Sequence, residues 1–348
     1  MKSLAVKYRP QTLSEMIGQD NSVRILSKAI EKQSFKNAYI FTGSSGCGKT
    51  SLARCFARAI NGSLDGLIEL DAASSGNIDS IRAIVESANQ RSLTGAYKIF
   101  IIDEAHAIST AGYQVFLKCL EECPEYTIFM FCTTEPNKIP ATILNRMQRF
   151  NIAKIDGQLI RDRLIYVCQQ EGFTNYHNTC ELISKLCDGC MREALTKLDQ
   201  CADLSTDLSL ENTKAVLGEA PFERMLKLTN FLINKNEQYT LMAIEMLASE
   251  GKDLKQFIDE YLGFTLEMIK YILFKNITLT NIPAYLESST DPMISVSATV
   301  DFNSTPEGPL PWFNNLVDKL LEIKNAIKYD TSVKYTVEAY LIQITKGM

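Results

Sequence analysis

Eight consecutive residues, Gly43-Ser44-Ser45-Gly46-Cys47-Gly48-Lys49-Thr50, constrain the fold of this chain more than any other stretch. They satisfy the pattern G-x-x-x-x-G-K-[ST] and lie between an apolar run, Ala38 to Phe41, and a helical pattern, Ser51 to Ile60. Strand, glycine-rich loop and helix in that order is the context in which the pattern has physical meaning. Glycines let successive backbone N–H groups turn toward one anion, and the helix N-terminus behind them adds the positive end of its dipole. Lys49 is placed to hold β- and γ-phosphates, and the Thr50 hydroxyl to ligate Mg²⁺, with Ser51 completing the cradle.

A loop of this kind needs a parallel sheet around it. Five β-rich runs occur in the first 155 residues: Ala38 to Phe41, Ile68 to Leu70, Lys98 to Asp103, Thr127 to Cys132 and Arg149 to Ile152. Most are almost continuously apolar, as strands covered on both faces by crossover helices are. The third run ends in Asp103-Glu104-Ala105-His106, so a buried strand delivers two adjacent carboxylates to its C-terminal end, where open α/β sheets bind ligands. Asp103 is expected to orient Mg²⁺ through its water shell, and Glu104 to polarise an attacking water. An exposed acidic turn is the plainer alternative, which the phosphate loop upstream disfavours.

After Ile155 the strand signals stop. The spacing predicts about three helices between Asp156 and Gly218, and further helices beyond Glu219, where Phe257, Ile258, Tyr261, Leu262, Leu266 and Ile269 share one face, as do Leu316, Leu320, Ile323 and Ile327. Asn303 to Pro311 is expected to be a loop, because its three prolines do not continue a helix. The expected organisation is a sheet domain over residues 1–155, a helical lid over 156–218 and an all-helical domain over 219–348.

Composition narrows the setting. No apolar run reaches the roughly 18 residues of a membrane span, and Met1-Lys2-Ser3-Leu4 runs into Lys7 and Arg9 without the apolar centre of a signal peptide. The ten cysteines are scattered, several in apolar stretches, and read as reduced thiols used as small hydrophobes. His177, Cys180, Cys187 and Cys190 have a spacing that could supply four zinc ligands, but Cys180 and Cys187 also follow the apolar rhythm of Leu182, Ile183 and Leu186, which is the preferred account. An intracellular, cytoplasmic protein is expected. The net charge of −5 means that any nucleic-acid contact has to come from local groups such as helix N-termini, not from the overall field.

Beyond these patterns, the chain resembles the gamma/tau subunits of the bacterial DNA polymerase III clamp loader, which are AAA+ ATPases. The resemblance is carried by Tyr8-Arg-Pro-Gln-Thr-Leu with Ile17-Gly-Gln, the phosphate loop, Glu69-Leu-Asp-Ala-Ala-Ser74 and the Asp-Glu-Ala-His box. Phe116 to Pro124, Thr133-Thr-Glu-Pro, Ile143 to Phe150, Met191-Arg-Glu-Ala-Leu and Gly251 to Phe257 carry it further along the chain. It implies that Tyr8, Arg9, Pro10, Ile17 and Gly18 pack around the adenine of ATP. Thr133 takes the place of the sensor of the γ-phosphate, with a plain strand-ending threonine as the alternative. Arg192 takes that of a second sensor from the lid, with a solvated helix charge as the alternative. Arg146 takes that of an arginine finger that acts on a neighbouring subunit's ATP. The family motif there is Ser-Arg-Cys, whereas this chain has Asn145-Arg146-Met147, so the charge is kept and its flanks differ.

Two departures are larger. The family's four-cysteine zinc module is missing, since Asn61 to Gly66 runs directly into the next strand, and no zinc is expected. The long tail of tau is also missing, so the chain is expected to resemble gamma. The implied partners are copies of itself, delta-like and delta-prime-like subunits, a sliding clamp and primer-template DNA, with no membrane, in a bacterial cytoplasm or that of a phage-infected host. Ser74, Ser75 and Asn77, with Ser109 and Thr110, are candidate contacts to the DNA backbone, and ordinary N-caps are the alternative. The competing expectations are another AAA+ ATPase of DNA metabolism, such as a helicase loader or branch-migration motor, and a clamp-loader subunit that only scaffolds. Intact Lys49, Thr50, Asp103 and Glu104 argue against the latter.

Overall fold

The computed structural model describes residues 3–92, 95–217, 221–274 and 308–347. Contacts divide the chain into two compact units, Met1–Val216 and Leu217–Met348. The first contains β1 (Ala38–Thr42), β2 (Leu67–Asp71), β3 (Lys98–Asp103), β4 (Thr127–Thr133) and β5 (Gln148–Asn151), all parallel, in the spatial order β2-β3-β4-β1-β5. All five predicted strands are present, each within a residue or two of its expected ends.

Alternation along the strands explains their unbroken apolar sequences. On one face Ile40, Phe100, Ile102, Phe129 and Phe131 pack beneath α5 (Ile78–Ala88) and α6 (Thr110–Glu121), where Phe116 meets Phe129 and Phe131 edge-on. On the other, Tyr39, Phe41, Ile99, Ile101, Ile128 and Met130 pack against α2 (Asp20–Glu31) and α3 (Lys49–Asn61), whose Leu26, Leu52 and Phe56 are fully buried. Both faces being dry, the interior positions of the central strands are apolar, and polar residues stand at their ends. The edge strand β2 departs from this pattern, with Ile68 exposed. Only Gly62 to Gly66 separates α3 from β2, with Gly62 closing the helix in the left-handed conformation.

Four helices complete this unit: α8 (Gly157–Glu171), α9 (His177–Leu186), α10 (Met191–Leu204) and α11 (Leu210–Leu217). About three were predicted; the additional one is α11, in whose first turns Thr213 is buried against Thr179 through a 2.6 Å hydroxyl contact. Cys180 lies in the helical core with its sulfur 3.6 Å from that of Cys168, and Cys187 is fully buried after the end of α9. Among the described residues, no group of three or more His, Cys, Asp or Glu is arranged to hold a metal.

In the second unit α12 (Pro221–Ile233), α13 (Glu237–Ser249), α14 (Leu254–Phe274), α15 (Pro309–Ile327) and α16 (Val333–Gly347) enclose one core. The predicted α15 stripe of Leu316, Leu320, Ile323 and Ile327 is buried throughout. The α14 stripe is rotated from its expected line: Phe257, Ile258 and Tyr261 are joined by Phe264, Thr265 and Met268, while Leu266 is 44% exposed. Thr265 tolerates burial because its hydroxyl donates to the Tyr261 carbonyl at 2.8 Å. The expected loop at 303–311 is corrected at its end. Residues 303–307 lie outside the described residues, but Pro309 and Pro311 fall in the first turn of α15, where a proline forfeits no helical hydrogen bond. No helix among the described residues is long and apolar enough to cross a membrane.

Candidate active site

The phosphate loop leaves β1 beside the end of β4, with Thr42 opposite Thr133 in register. Its glycines are required by space as much as by dihedral angle. Gly43 has φ +152°, and a Cβ there would lie 2.2 Å from the Ile152 carbonyl oxygen; at Gly46, φ +71°, it would lie 2.1 Å from the Cys190 sulfur. The loop is thus pressed between β5 and the start of α10. Gly48 precedes α3, and no side chain caps that helix, so its first N–H groups face the loop's interior. Lys49 is 6% exposed, and its Nζ donates to the carbonyls of Gly43 at 3.0 Å and Ser44 at 2.9 Å. A buried ammonium beside uncapped helix N–H groups is a donor set suited to a polyphosphate.

The acidic pair sits across the loop. The Thr50 hydroxyl donates to Asp103 Oδ2 at 2.8 Å, joining the start of α3 to the end of β3. These two oxygens are the pair that would hold Mg²⁺, a cation that takes oxygen ligands. Glu104 stands in the left-handed region, φ 46° and ψ 44°, with its N–H bonded to Asp103 Oδ1 at 3.1 Å. Such a conformation is uncommon for a side-chain-bearing residue and is found at sites where surrounding structure overrides local preference.

Around the loop a cleft is lined by Tyr8, Arg9, Pro10, Ile17, Ser45 to Ser51, Asp103, Glu104 and Arg192. Burial, and then the neighbouring cations Arg54 and Arg192, hold the Arg9 guanidinium below its ordinary pKa. Tyr8 ties the N-terminal segment to α8: its hydroxyl bonds to Glu171, its carbonyl accepts from Arg163 Nη2 at 3.2 Å, and its ring meets Tyr166 edge-on.

Several expected residues stand outside this cleft. Gly43 and Gly18 shape the surrounding backbone, the latter with φ +69° against Ile155. Ser44 lines a neighbouring opening with Lys154 and Asp188. Thr133 is fully buried, its hydroxyl 3.1 Å from His106 Nδ1 and accepting the Glu135 N–H at 3.0 Å. The threonine that reaches the acidic pair is the next one: Thr134 Oγ1 donates to Glu104 Oε2 at 3.4 Å. Arg146 follows the short helix α7 (Ala141–Leu144) and pairs with Glu121 and the Thr142 carbonyl. Asn77 and Ser109 are N-caps, accepting from Ser80 N and Gly112 N at 2.9 and 3.1 Å, and Ser109 N donates to the Gly76 carbonyl, so the starts of α5 and α6 are adjacent. Ser74 and Ser75 close α4 (Ala72–Ser75), and Thr110 opens α6.

Comparison with known proteins bears on this arrangement. A family model described as DNA polymerase III, delta subunit, matches residues 67–156. The DNA polymerase III subunit tau of Bacillus subtilis is 34% identical over 286 residues, spanning 76% of this chain and 51% of that protein. The gamma/tau subunit of Mycoplasma genitalium is 32% identical over 78% of this chain and 50% of its own length, and subunit tau of Escherichia coli is 29% identical over 75% and 44%. The chain is a relative of the DNA polymerase III gamma/tau subunits. It spans about half the length of the relatives it matches. The chain also shares the fold of the Thermotoga maritima RuvB Holliday junction branch migration motor, with a TM-score of 0.51, 20% identity, and coverage of 71% of this chain and 86% of that one. A variant of RuvB aligns over 75% of this chain and 91% of its own, with a TM-score of 0.53 at 19% identity.

Some cleft residues of the gamma/tau-like chain carry no local signal. Met16, Ile155 and Arg163 line it, and Glu171 fastens Tyr8. None belongs to a motif: the docking of α8 beside the loop brings Arg163 and Glu171 there, and the segments before α2 and before α8 bring Met16 and Ile155.

Proposed function

We propose that this chain is the ATP-hydrolysing subunit of a clamp loader, which uses ATP at subunit interfaces to open a sliding clamp and place it on primed DNA. The observation that carries the proposal is the junction of Lys49, the Thr50–Asp103 bond and Glu104 around one loop, in a chain related to gamma/tau. Lys49 and the N–H groups of Gly46 to Thr50 bind the phosphates, and Tyr8, Arg9, Pro10 and Ile17 enclose the base. Mg²⁺ held at Thr50 and Asp103 supplies neutralisation of phosphate charge. Glu104 accepts a hydrogen bond from the attacking water and raises its nucleophilicity. The end of β4 senses the γ-phosphate, with the Thr134 hydroxyl nearer to Glu104 than that of Thr133. Arg192 approaches from α10.

Arg146 is partly exposed, and among the described residues its side chain is bonded to Glu121 and the Thr142 carbonyl, which suits a finger offered to a neighbouring copy. Supplied in trans, a finger makes hydrolysis depend on assembly with copies of this chain and with delta-like and delta-prime-like subunits. Each ATP then biases the interface between two geometries by the difference in its affinity for them. The adjacent N-termini of α5 and α6 offer N–H groups to the phosphates of primer-template DNA without regard to sequence.

The test is steady-state ATP hydrolysis by the assembled subunits, with and without clamp and primed DNA, in wild type, Lys49→Ala and Arg146→Ala. Stimulation by clamp and DNA, with both variants reduced about a thousandfold or more, is expected. Hydrolysis indifferent to clamp and DNA in an intact assembly overturns the clamp-loading role.

A further inference from the structure

His106 lies in the turn that follows the acidic pair, and the proposed chemistry leaves it without a task. Its side chain is 18% exposed and each ring nitrogen faces a carboxylate: Nδ1 is 3.4 Å from Glu104 Oε2, and Nε2 is 3.4 Å from Glu135 Oε1. Nδ1 also lies 3.1 Å from the buried Thr133 hydroxyl, whose oxygen receives the Glu135 N–H at 3.0 Å. Lys138 pairs with the Glu135 carboxylate at 2.9 Å and holds it below the usual carboxylate range, with a smaller contribution from His106. The turn is fixed from beneath: Ala107 N donates to the Glu104 carbonyl at 2.8 Å, and the Tyr113 hydroxyl to the Ala105 carbonyl at 2.6 Å. The imidazole is therefore held by its backbone turn and by Thr133, with Glu135 facing Nε2, before it meets Glu104.

Glu104 needs such a neighbour. Its left-handed backbone turns the side chain away from the strand direction, and three free torsions would let the carboxylate wander. Among the described residues its carboxylate makes long contacts, to His106 and to Thr134 Oγ1, both 3.4 Å. Long contacts suit a carboxylate that is aimed but still able to accept from a water.

We propose that His106 is a positioning residue for Glu104, aiming its carboxylate through Nδ1 while Nε2 faces Glu135 just beyond β4; this rests on Glu104 being the group that polarises the attacking water. His106 thereby connects the acidic pair to the segment that leads, through Pro136 to Lys138 and α7, toward Arg146.

The experiment measures kcat and ATP affinity for full-length wild type, His106→Ala, His106→Asn, His106→Gln and Glu104→Gln, in the assembly in which wild type is active. Asparagine keeps an amide donor near the place of Nδ1; glutamine keeps one near Nε2 and leaves Glu104 unaimed. His106→Ala and His106→Gln are expected to lose about ten- to a hundredfold in kcat with ATP affinity within about twofold of wild type, and His106→Asn to recover much of the loss. If the alanine variant does not fold, as read by its circular dichroism melt, the asparagine–glutamine pair carries the comparison. A kcat for His106→Gln within about twofold of wild type overturns the proposal. So does a loss that asparagine does not relieve, or one shared equally by ATP affinity. Glu104→Gln separates the two readings. If it abolishes hydrolysis while the His106 variants are active, only the positioning role fails; if it hydrolyses ATP as wild type does, the assignment of Glu104 itself fails.

Discussion

At Gly43 two independent requirements meet, a φ of +152° and a carbonyl 2.2 Å from where a Cβ would stand. Because that carbonyl belongs to the Ile152 backbone, it cannot swing aside as a side chain could. Gly43→Ala is expected to cost about 1–3 kcal/mol in chemical denaturation and to abolish the rise in melting temperature that ATP gives the wild type. Gly62 provides the control, with φ +74° and nothing within 4 Å of a Cβ. Gly62→Ala should carry only the cost of its left-handed backbone, about 1–2 kcal/mol, and keep the ATP-induced rise. Equal loss of ATP response in both would show that the Gly43 effect is general destabilisation. The motif alone marks Gly43 as necessary; the reason, contact with β5 a hundred residues later, is visible only in the fold.

At the scale of elements, the docking of the N-terminal segment on α8 turns a string of helices into one side of a cleft. Burial first, then the bond to Glu171, push the Tyr8 hydroxyl from its ordinary 10 up to about 12. A group whose proton is held more tightly in the folded state contributes stability that is full below about pH 10 and is lost as pH rises toward about 12. Tyr39, Tyr113 and Tyr261 are also pushed up by burial, so the informative quantity is a difference. Over that alkaline range the melting temperature of wild type should fall more steeply than that of Tyr8→Phe. Parallel curves would mean that Tyr8 and Glu171 are not bonded. Glu171 lies 163 residues from Tyr8, which is why no spacing rule pairs them.

For the whole molecule, a finger acting in trans has a consequence that no site confined to one chain shares. Lys49→Ala chains lack the phosphate ligand but retain Arg146, and Arg146→Ala chains retain Lys49. Mixed in one assembly, the two inactive variants are expected to regain a substantial fraction of wild-type ATP hydrolysis, because some interfaces combine an intact loop with an intact finger. Assays of the mixture against each variant alone, at equal total protein, check this. A mixture as inactive as its components, in an assembly shown to form, would place the two residues in the same site.

The sequence by itself determined the parallel sheet, the phosphate loop and the acidic pair, because these depend on local order. A strand must precede the loop, a helix must follow it, and a strand dry on both faces has to be apolar at its interior positions. It also marked the apolar stripe of α15, a helix whose buried positions recur at the helical period. Tertiary structure alone decided the orientation of α14, where Thr265 goes inward and Leu266 outward, since packing against α15 and not hydrophobicity selects the face. It decided that Thr134, one residue past β4, meets Glu104, while the Thr133 hydroxyl meets His106. It also brought His106 between two carboxylates from different strand ends. Periodicity and motif act over a few residues, whereas these positions are set by which strand ends the chain brings together.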